Sequence, residues 1–145
     1  MTNKPWTCWI PAKRRDWLCQ SRWRSSLIET EGWEAYHEKL VADEPNRIMK
    51  QLVASLKAGD HTVVACTSRP DRWRMATYGW LMRKEIAVDE LLMRADNDFR
   101  PASQVKIDLV DKAVGMSKLD LVIDDRDDVL AAFRAKEICC LQFAR

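Results

Sequence analysis

The chain has 145 residues, of which 47% are hydrophobic and 32% charged, a balance typical of one globular domain with a core of ordinary size. No apolar run approaches the roughly 20 residues that a membrane-spanning helix requires, and the amino terminus lacks the pattern of a secretory signal peptide. The five cysteines are odd in number and form no CxxC pair, which indicates reduced thiols in the cytoplasm rather than a disulfide framework or a zinc site.

The amino-terminal segment, residues 1–26, is atypical because it is basic and rich in tryptophan. It carries six lysines and arginines against Asp16 alone, together with four tryptophans. Basic side chains interleaved with aromatic ones are typical of surfaces that bind single-stranded nucleic acid. The alternative is that this stretch does not match the fold to which it belongs, for instance because the reading frame is shifted before about Ser21. Its one plausible strand, Thr7 to Ile10, is cut short by Pro11, and we predict that it is a poor central strand.

From residue 27 to residue 145 the pattern is that of one core in which strands alternate with helices. The predicted elements are a helix opened by Pro45 and Asn46 and closed by Gly59, a buried strand Thr62–Cys66, a helix that starts at Pro70 and Asp71, a short strand Leu91–Met93, a helix capped by Ser103, an apolar strand Leu119–Ile123, a helix Asp127–Lys136 and a last strand Ile138–Phe143. This alternation predicts an α/β fold, a parallel sheet with helices on both faces. Its first strand should be atypical or missing.

Two adjacent carboxylates, Asp124 and Asp125, follow the apolar strand that begins at Leu119. In open α/β sheets, ligands bind in the crevice outside the carboxyl ends of the strands. Two acids placed there repel each other unless a cation holds them, and hard carboxylate oxygens suit Mg²⁺. A cluster of acids favoured by the dipole of the next helix is the alternative, but a cap requires a single acid. The sequence therefore predicts a magnesium site at these two residues.

A hydroxyl-rich turn after the strand that ends at Cys66 predicts an anion site. Thr67, Ser68 and Arg69 precede a helix amino terminus, where free backbone N–H groups and the helix dipole favour negative charge. An ordinary helix cap is the alternative. Lys106 lies one turn into its own helix and by itself is expected to be a solvated lysine. The order of these features along the chain, and not any one of them, indicates a site that handles phosphate.

This order resembles the haloacid-dehalogenase (HAD) superfamily of phosphohydrolases, and more narrowly the phosphatase half of phage-type polynucleotide kinase/3′-phosphatases. The resemblance extends from about Leu27 to Phe143 and is carried by Val64–Pro70, Asp89–Arg94, Asp98–Pro101, Val105–Lys106 and Val122–Asp127. It implies a HAD-like, Rossmann-type sheet and a Mg²⁺-dependent phosphatase of a phage or bacterial cytoplasm. Its implied partners are phosphorylated substrates, such as nucleic-acid 3′ ends or nucleotides, and no membrane.

The resemblance also implies three groups of site residues. Lys106 and Arg69 would be catalytic, Thr67, Ser68 and Arg24 would bind the substrate phosphate, and Asp124 and Asp125 would hold Mg²⁺. A planar guanidinium suits a phosphate clamp because it donates two parallel hydrogen bonds. The lysine would neutralise charge on the nucleophile and the transition state, and the metal ion would offset the charge on the phosphoryl group.

One departure from the family pattern is serious. HAD phosphatases begin with a strand that ends in Asp-x-Asp-Gly-Thr, in which the first Asp forms an aspartyl-phosphate and the second acts as general acid and base. Counting back without gaps from Leu27 places Lys13 and Arg15 at the two acid positions, and Ala102 stands where relatives often carry a further acid. We therefore expect negligible turnover. The alternatives are a non-catalytic protein that binds phosphorylated nucleic-acid ends, and a structural role in which the site is unused.

Overall fold

The computed structural model describes residues 6–9, 32–38 and 42–143. In chain order the elements are β1 (Trp6–Trp9), α1 (Gly32–Glu38), α2 (Arg47–Ala58), β2 (Thr62–Pro70), α3 (Arg74–Arg83), β3 (Glu90–Arg94), α4 (Ala102–Ala113), β4 (Leu119–Asp124), α5 (Asp127–Arg134) and β5 (Cys139–Gln142). Within these residues the strands form one sheet in the order β3-β2-β1-β4-β5, and every neighbouring pair is parallel. No helix in this part of the chain is both long and apolar enough to cross a membrane.

Both faces of strand β2 are buried, as is typical of strands inside a parallel sheet. Successive side chains of β2 alternate between two apolar clusters: Val63 and Ala65 pack with α2 and α3, whereas Val64 and Cys66 pack with α4 and α5. The cluster on the α4 side continues through Val122 of β4. Because successive side chains point to opposite faces and both faces are apolar, the sequence of this strand is a continuous apolar run. The predicted arrangement of helices on both faces of the sheet is therefore present.

Helix α2 begins and ends where the sequence indicates. The Asn46 side chain accepts hydrogen bonds from the backbone N–H groups of Ile48 (3.0 Å) and Met49 (3.2 Å), and Gly59 follows the last helical residue. The cap predicted for α4 is wrong, because the helix already begins at Ala102. Ser103 therefore lies inside its first turn, and no side chain caps this helix.

Two further details differ from the sequence-based expectation. Strand β2 continues to Pro70, with a shift of register against β3 between Thr67 and Pro70, and a 3₁₀ turn, Asp71–Trp73, separates it from α3. Helix α1 was not anticipated. It contacts this turn through an ion pair between Glu34 and Arg72 and through the ring of His37, whose centroid lies 5.9 Å from that of Trp73.

The expectation that the first strand is a poor central strand is wrong for Trp6–Trp9. This short segment lies between β2 and β4 and pairs with both, with Trp9 opposite Ala65 on one side and Ile123 on the other. Parallel pairing uses backbone N–H and C=O groups, so that the unusual side chains do not prevent it. The strand comes from residues 1–26, whereas the domain boundary placed between residues 26 and 27 stays a prediction.

Candidate active site

Two of the predicted site residues lie toward the carboxyl edge of the sheet, on the strands β2 and β4 that flank β1. Thr67 lies three residues before the end of β2, and Asp124 is the last residue of β4. Because Trp9 is opposite both Ala65 and Ile123, Thr67 and Asp124 lie within one residue of the same level along the sheet. The crevice in which open α/β sheets bind ligands is at this edge.

Lys106 and Asp124 form a fully buried ion pair. The Lys106 ammonium lies 2.8 Å from Oδ2 of Asp124, and both side chains have an exposed fraction of 0%. The backbone N–H of Arg126 donates to the other oxygen, Oδ1, at 2.9 Å. A charge this deeply buried is stable only when it is paired. The expectation that Lys106 alone would be a solvated lysine is therefore wrong, and α4 directs this side chain across the sheet to the end of β4.

The same ion pair influences a buried cysteine. Burial raises the pKa of the Cys66 thiol to about 12, the nearby Lys106 ammonium opposes this increase, and the carboxylate of Asp124 adds to it. All three residues lie on the α4 and α5 side of the sheet, at or near the carboxyl ends of the strands. Since only the thiolate is a good nucleophile, Cys66 is a packing residue and not a nucleophile.

The hydroxyl-rich turn is held by its own hydrogen bonds. The Thr67 Oγ1 atom accepts from the backbone N–H of Arg69 at 3.2 Å, and the guanidinium of Arg69, only 6% exposed, donates to Oγ1 of Thr77 at 3.2 Å. Thr77 in turn donates to the backbone carbonyl of Trp73 at 2.9 Å. The turn thus fixes the orientation of Arg69. The role of Thr77 could not be predicted from the sequence, because a threonine inside a helix carries no pattern of its own.

Ser68 is completely buried, and its hydroxyl makes no hydrogen bond to any described residue. Buried hydroxyl groups nearly always have a partner, so one that lacks it requires an explanation such as a ligand. The helix that was expected to start at Pro70 starts instead at Arg74, after the 3₁₀ turn. The prediction that the amino terminus of this helix contributes to an anion site directly after Arg69 is therefore wrong, because the helix begins later in the chain than expected.

The acidic run after β4 divides into two pairs of side chains. Asp127 accepts from the amide of Gln142 at 2.6 Å, and Asp128 accepts two hydrogen bonds from Arg126. Asp124, the last residue of β4, and the half-buried Asp125 are the carboxylates at the strand end. This division could not be read from the sequence, in which the four aspartates look alike.

These two carboxylates fit Mg²⁺ in kind, because they are hard oxygen donors and Mg²⁺ is often held by one or two carboxylates together with water. A larger protein cage is not available in the described part of the chain, where no three His, Cys, Asp or Glu side chains converge on one point. The ammonium of Lys106 already contacts Asp124 and would share that carboxylate with an ion. The donor set therefore supports a small, water-rich magnesium site and not a zinc site.

Arg94 lies in Asp89–Arg94, one of the segments that carry the family resemblance, but the sequence predicts no role for it. It ends β3 with an exposed fraction of 6%, and its guanidinium donates to the backbone carbonyl of Asp98 at 2.8 Å. Burial lowers its pKa, Asp98 raises it, and the neighbouring cations Arg100 and Arg126 lower it further. The buried guanidinium of Arg94 thus lies close to two other cations and on the same edge of the sheet as Asp124. This proximity could not be predicted from the spacing of these residues in the sequence.

Comparison with known proteins identifies the family. The model described as the polynucleotide kinase PNKP phosphatase domain, of the HAD type, matches residues 26–145. The chain belongs to this family. The predicted resemblance to HAD phosphatases of the polynucleotide kinase type is therefore confirmed, although a search of the curated proteins finds no match to the chain.

Solved structures confirm the HAD-like fold. A chain in a structure described as the Pnkp1/Rnl/Hen1 complex aligns with a TM-score of 0.77 at 21% identity, over 99% of this chain and 47% of that one. A chain of the Pnkp1/Rnl/Hen1 RNA repair complex aligns with a TM-score of 0.78 at 21% identity, over 99% of this chain and 43% of that one. A haloacid dehalogenase-like hydrolase from Streptococcus pneumoniae aligns with a TM-score of 0.63 at 10% identity, over 98% and 85% of the two chains. This chain spans less than half the length of the Pnkp1/Rnl/Hen1 chains.

Three of the residues singled out from the sequence lie outside the described residues. They are Arg24, the predicted phosphate contact, and Lys13 and Arg15, which the ungapped count places at the two acid positions. Strand β1 is described as far as Trp9, opposite Ile123 and therefore one residue before the level of Asp124. That the family's two acids are absent, with Lys13 and Arg15 at their positions, stays a prediction.

Proposed function

We propose that this chain is a Mg²⁺-dependent polynucleotide 3′-phosphatase-type domain that keeps the means to bind a phosphate end but lacks the nucleophile for turnover. One observation carries the proposal: the buried Lys106–Asp124 pair lies at the same edge of the sheet as the Thr67 turn. Membership of the PNKP phosphatase family supports the reaction class. The description of two structural neighbours as a Pnkp1/Rnl/Hen1 complex, one of them for RNA repair, supports nucleic-acid ends as the substrate class.

In this proposal each retained side chain binds or orients the phosphate. Thr67 and the buried hydroxyl of Ser68 would donate to phosphoryl oxygens, and Arg69, held by Thr77, would clamp two oxygens at once. Lys106 would supply a positive charge beside the phosphate and holds the Asp124 carboxylate in place through their ion pair. A Mg²⁺ ion at Asp124 and Asp125, when bound, would offset negative charge on the phosphoryl oxygens.

Turnover is a separate matter, because it requires an aspartate to attack phosphorus. The segment before Leu27 contains Asp16 as its only acid, without a second acid two residues away. A lysine or an arginine at the nucleophile position can form no aspartyl-phosphate. We therefore propose that this sequence binds phosphate ends without hydrolysing them at a measurable rate. The double variant Lys13→Asp/Arg15→Asp should restore phosphate release from a 3′-phosphorylated oligonucleotide if the ungapped count is right.

Ligand-dependent stability of the full chain tests the binding site. Tungstate, a phosphate analogue, and Mg²⁺ should each stabilise the folded state by about 2.7 kcal/mol when present at about 100 times the dissociation constant. For a chain of this length this corresponds to a rise in melting temperature of about 5–10 °C. Asp125→Asn should remove the Mg²⁺-dependent part, whereas the matched control Asp127→Asn, whose carboxylate is taken up by Gln142, should retain it. No rise with either ligand would refute the proposal.

The second candidate function is a non-catalytic nucleic-acid binder in which the basic, tryptophan-rich residues 1–26 supply most of the affinity. The six basic side chains and four tryptophans of this segment favour such a binding function. Binding to single-stranded DNA should then weaken steeply with salt, because each phosphate contact releases counterions. It should also be independent of a 3′-phosphate, whereas the first proposal requires one. A phage or bacterial cytoplasm is proposed for both functions, since the family resemblance and the reduced cysteines favour it.

A further inference from the structure

Phe99 is the most exposed large hydrophobic side chain in the described part of the protein, with an exposed fraction of 88%. It lies in the loop of residues 95–101, between β3 and α4. Burying a phenylalanine side chain stabilises a fold by about 1.5–3 kcal/mol, and this loop forgoes that gain. Packing therefore does not explain an aromatic residue at this position, which is more easily understood as a contact surface.

The loop holds this ring in place although the ring itself packs against little. On one side, the guanidinium of Arg94 donates to the backbone carbonyl of Asp98 at 2.8 Å. On the other side, Arg100 donates through its backbone N–H to Oδ1 of Asp98 at 3.1 Å and through its guanidinium to Asp108 at 2.5 Å. Both neighbours of Phe99 in the chain are thus fixed. A rigid platform costs less conformational entropy on binding than a mobile one.

The loop also connects the carboxyl end of β3 to the helix that carries Lys106 of the proposed phosphate site. It leads directly into α4, and Lys106 is five residues after Pro101, which at a rise of about 1.5 Å per residue is about 7–8 Å along the helix axis. Arg94, at the start of the loop, interacts electrostatically with Arg126, which follows the two metal-site carboxylates. An exposed aromatic ring near a group of cations at the edge of a phosphate site is the combination that binds single-stranded nucleic acid.

We propose that Phe99 is a stacking platform for the nucleobase adjacent to the phosphate bound at the Thr67 and Asp124 strand ends. The ligand class is then a 3′-phosphorylated nucleoside, at the end of a strand or as a free nucleotide, and not a small phosphate ester. Any base can stack on the ring, because every base has a π face, so that this contact recognises a nucleotide without selecting its sequence. The inference rests on the proposed function and adds to it a contact with the nucleobase beside the phosphate.

The test is the affinity of the full chain, in the presence of Mg²⁺, for three probes measured by fluorescence anisotropy or competition. They are a 3′-phosphorylated single-stranded oligothymidine, the same oligonucleotide with an abasic 3′-terminal sugar phosphate, and thymidine 3′-monophosphate. Base stacking on an aromatic ring contributes about 1–3 kcal/mol, so Phe99→Ala should weaken binding of the base-containing end about 10- to 100-fold. Phe99→Trp should retain the affinity, and neither variant should change binding of the abasic end.

Met82→Ala is the matched control, since this exposed side chain (59%) lies in the last turn of α3, at the opposite end of the helix from its start near the site. If Phe99→Ala and Met82→Ala bind the base-containing end equally well, or if Phe99→Ala weakens the abasic end to the same extent, the platform is refuted and the proposed function stands. If the unaltered chain binds none of the three probes, both proposals fail. Binding of the mononucleotide as tight as that of the oligonucleotide would identify free nucleotides as the ligand source.

Discussion

The buried ion pair between Lys106 and Asp124 gives the sharpest test of the site geometry. Both side chains are fully buried, and the charged atoms are 2.8 Å apart. At this distance the Coulomb attraction is about 6 kcal/mol for an effective dielectric constant of about 20, before the cost of desolvation is subtracted. Removing one partner leaves the other charge buried and uncompensated, so Lys106→Met and Asp124→Asn should each lower the free energy of unfolding by about 3–5 kcal/mol. The double variant should recover much of this loss.

The assay is urea unfolding of the two single variants and the double variant, with the coupling free energy taken from the cycle. We expect a coupling above about 1 kcal/mol. The control is Lys50→Met, which breaks a pair with Glu85 whose side chains are 36% and 84% exposed and which should cost less than about 1 kcal/mol. Single variants that fail to fold beside a double variant that folds would support the same conclusion. If Lys106→Met costs no more than Lys50→Met, the pair is not buried as described and the reasoning is wrong.

Three further predictions address other parts of the chain. Because burial raises the pKa of Cys66 to about 12, a thiol reagent at pH 8 should modify the exposed Cys139 and leave Cys66 intact. Equal labelling of the two cysteines in mass spectrometry would contradict this. The hydrogen bonds from Arg100 lower the pKa of Asp98 to about 2. The stability that this pair adds should therefore be present above about pH 4 and lost as the pH falls toward 2. An NMR titration of Asp98 should show a midpoint near 2, which returns toward 3.8 in Arg100→Gln. If residues before about Ser21 arose from a frame shift, another frame of the coding DNA should encode Asp-x-Asp-Gly-Thr in register with the rest of the domain, and its absence from both frames would rule this origin out.

The sequence predicted most of the fold because its signals are local. The apolar run from Thr62 to Cys66 and the cap at Asn46 each depend on a few neighbouring residues, and the structure has a strand and a helix start there. The ends of the elements were less well predicted. The second strand continues to Pro70, and the helix expected to have Ser103 as its cap begins before that residue. Ends depend on hydrogen bonds to distant parts of the chain, which a local pattern does not contain.

The site was predictable in its order along the chain but not in its contacts. The strand ends that carry Thr67 and Asp124 could be placed on one edge, because parallel strands end together. The burial of Lys106 could not be predicted, since a lysine on a polar-looking helix is usually solvated and only the packing of α4 over β4 brings it to Asp124. The support that Thr77 gives to Arg69 was missed for the same reason. Contacts between side chains that are distant in sequence appear only when the sheet is assembled.

The central strand shows why the fold and the chemistry of such a domain can be separated. Trp6–Trp9 pairs with β2 and β4 through backbone groups that every residue except proline has, so this pairing does not depend on the family's acids. Phosphoryl transfer instead depends on one carboxylate at the end of that strand, which no backbone group replaces. An ion pair such as that of Lys106 and Asp124 is not required for packing, because apolar residues of similar volume would fill the space at no cost in stability. Its presence at the same edge of the sheet as the Thr67 turn therefore supports the proposal that this edge binds a charged ligand.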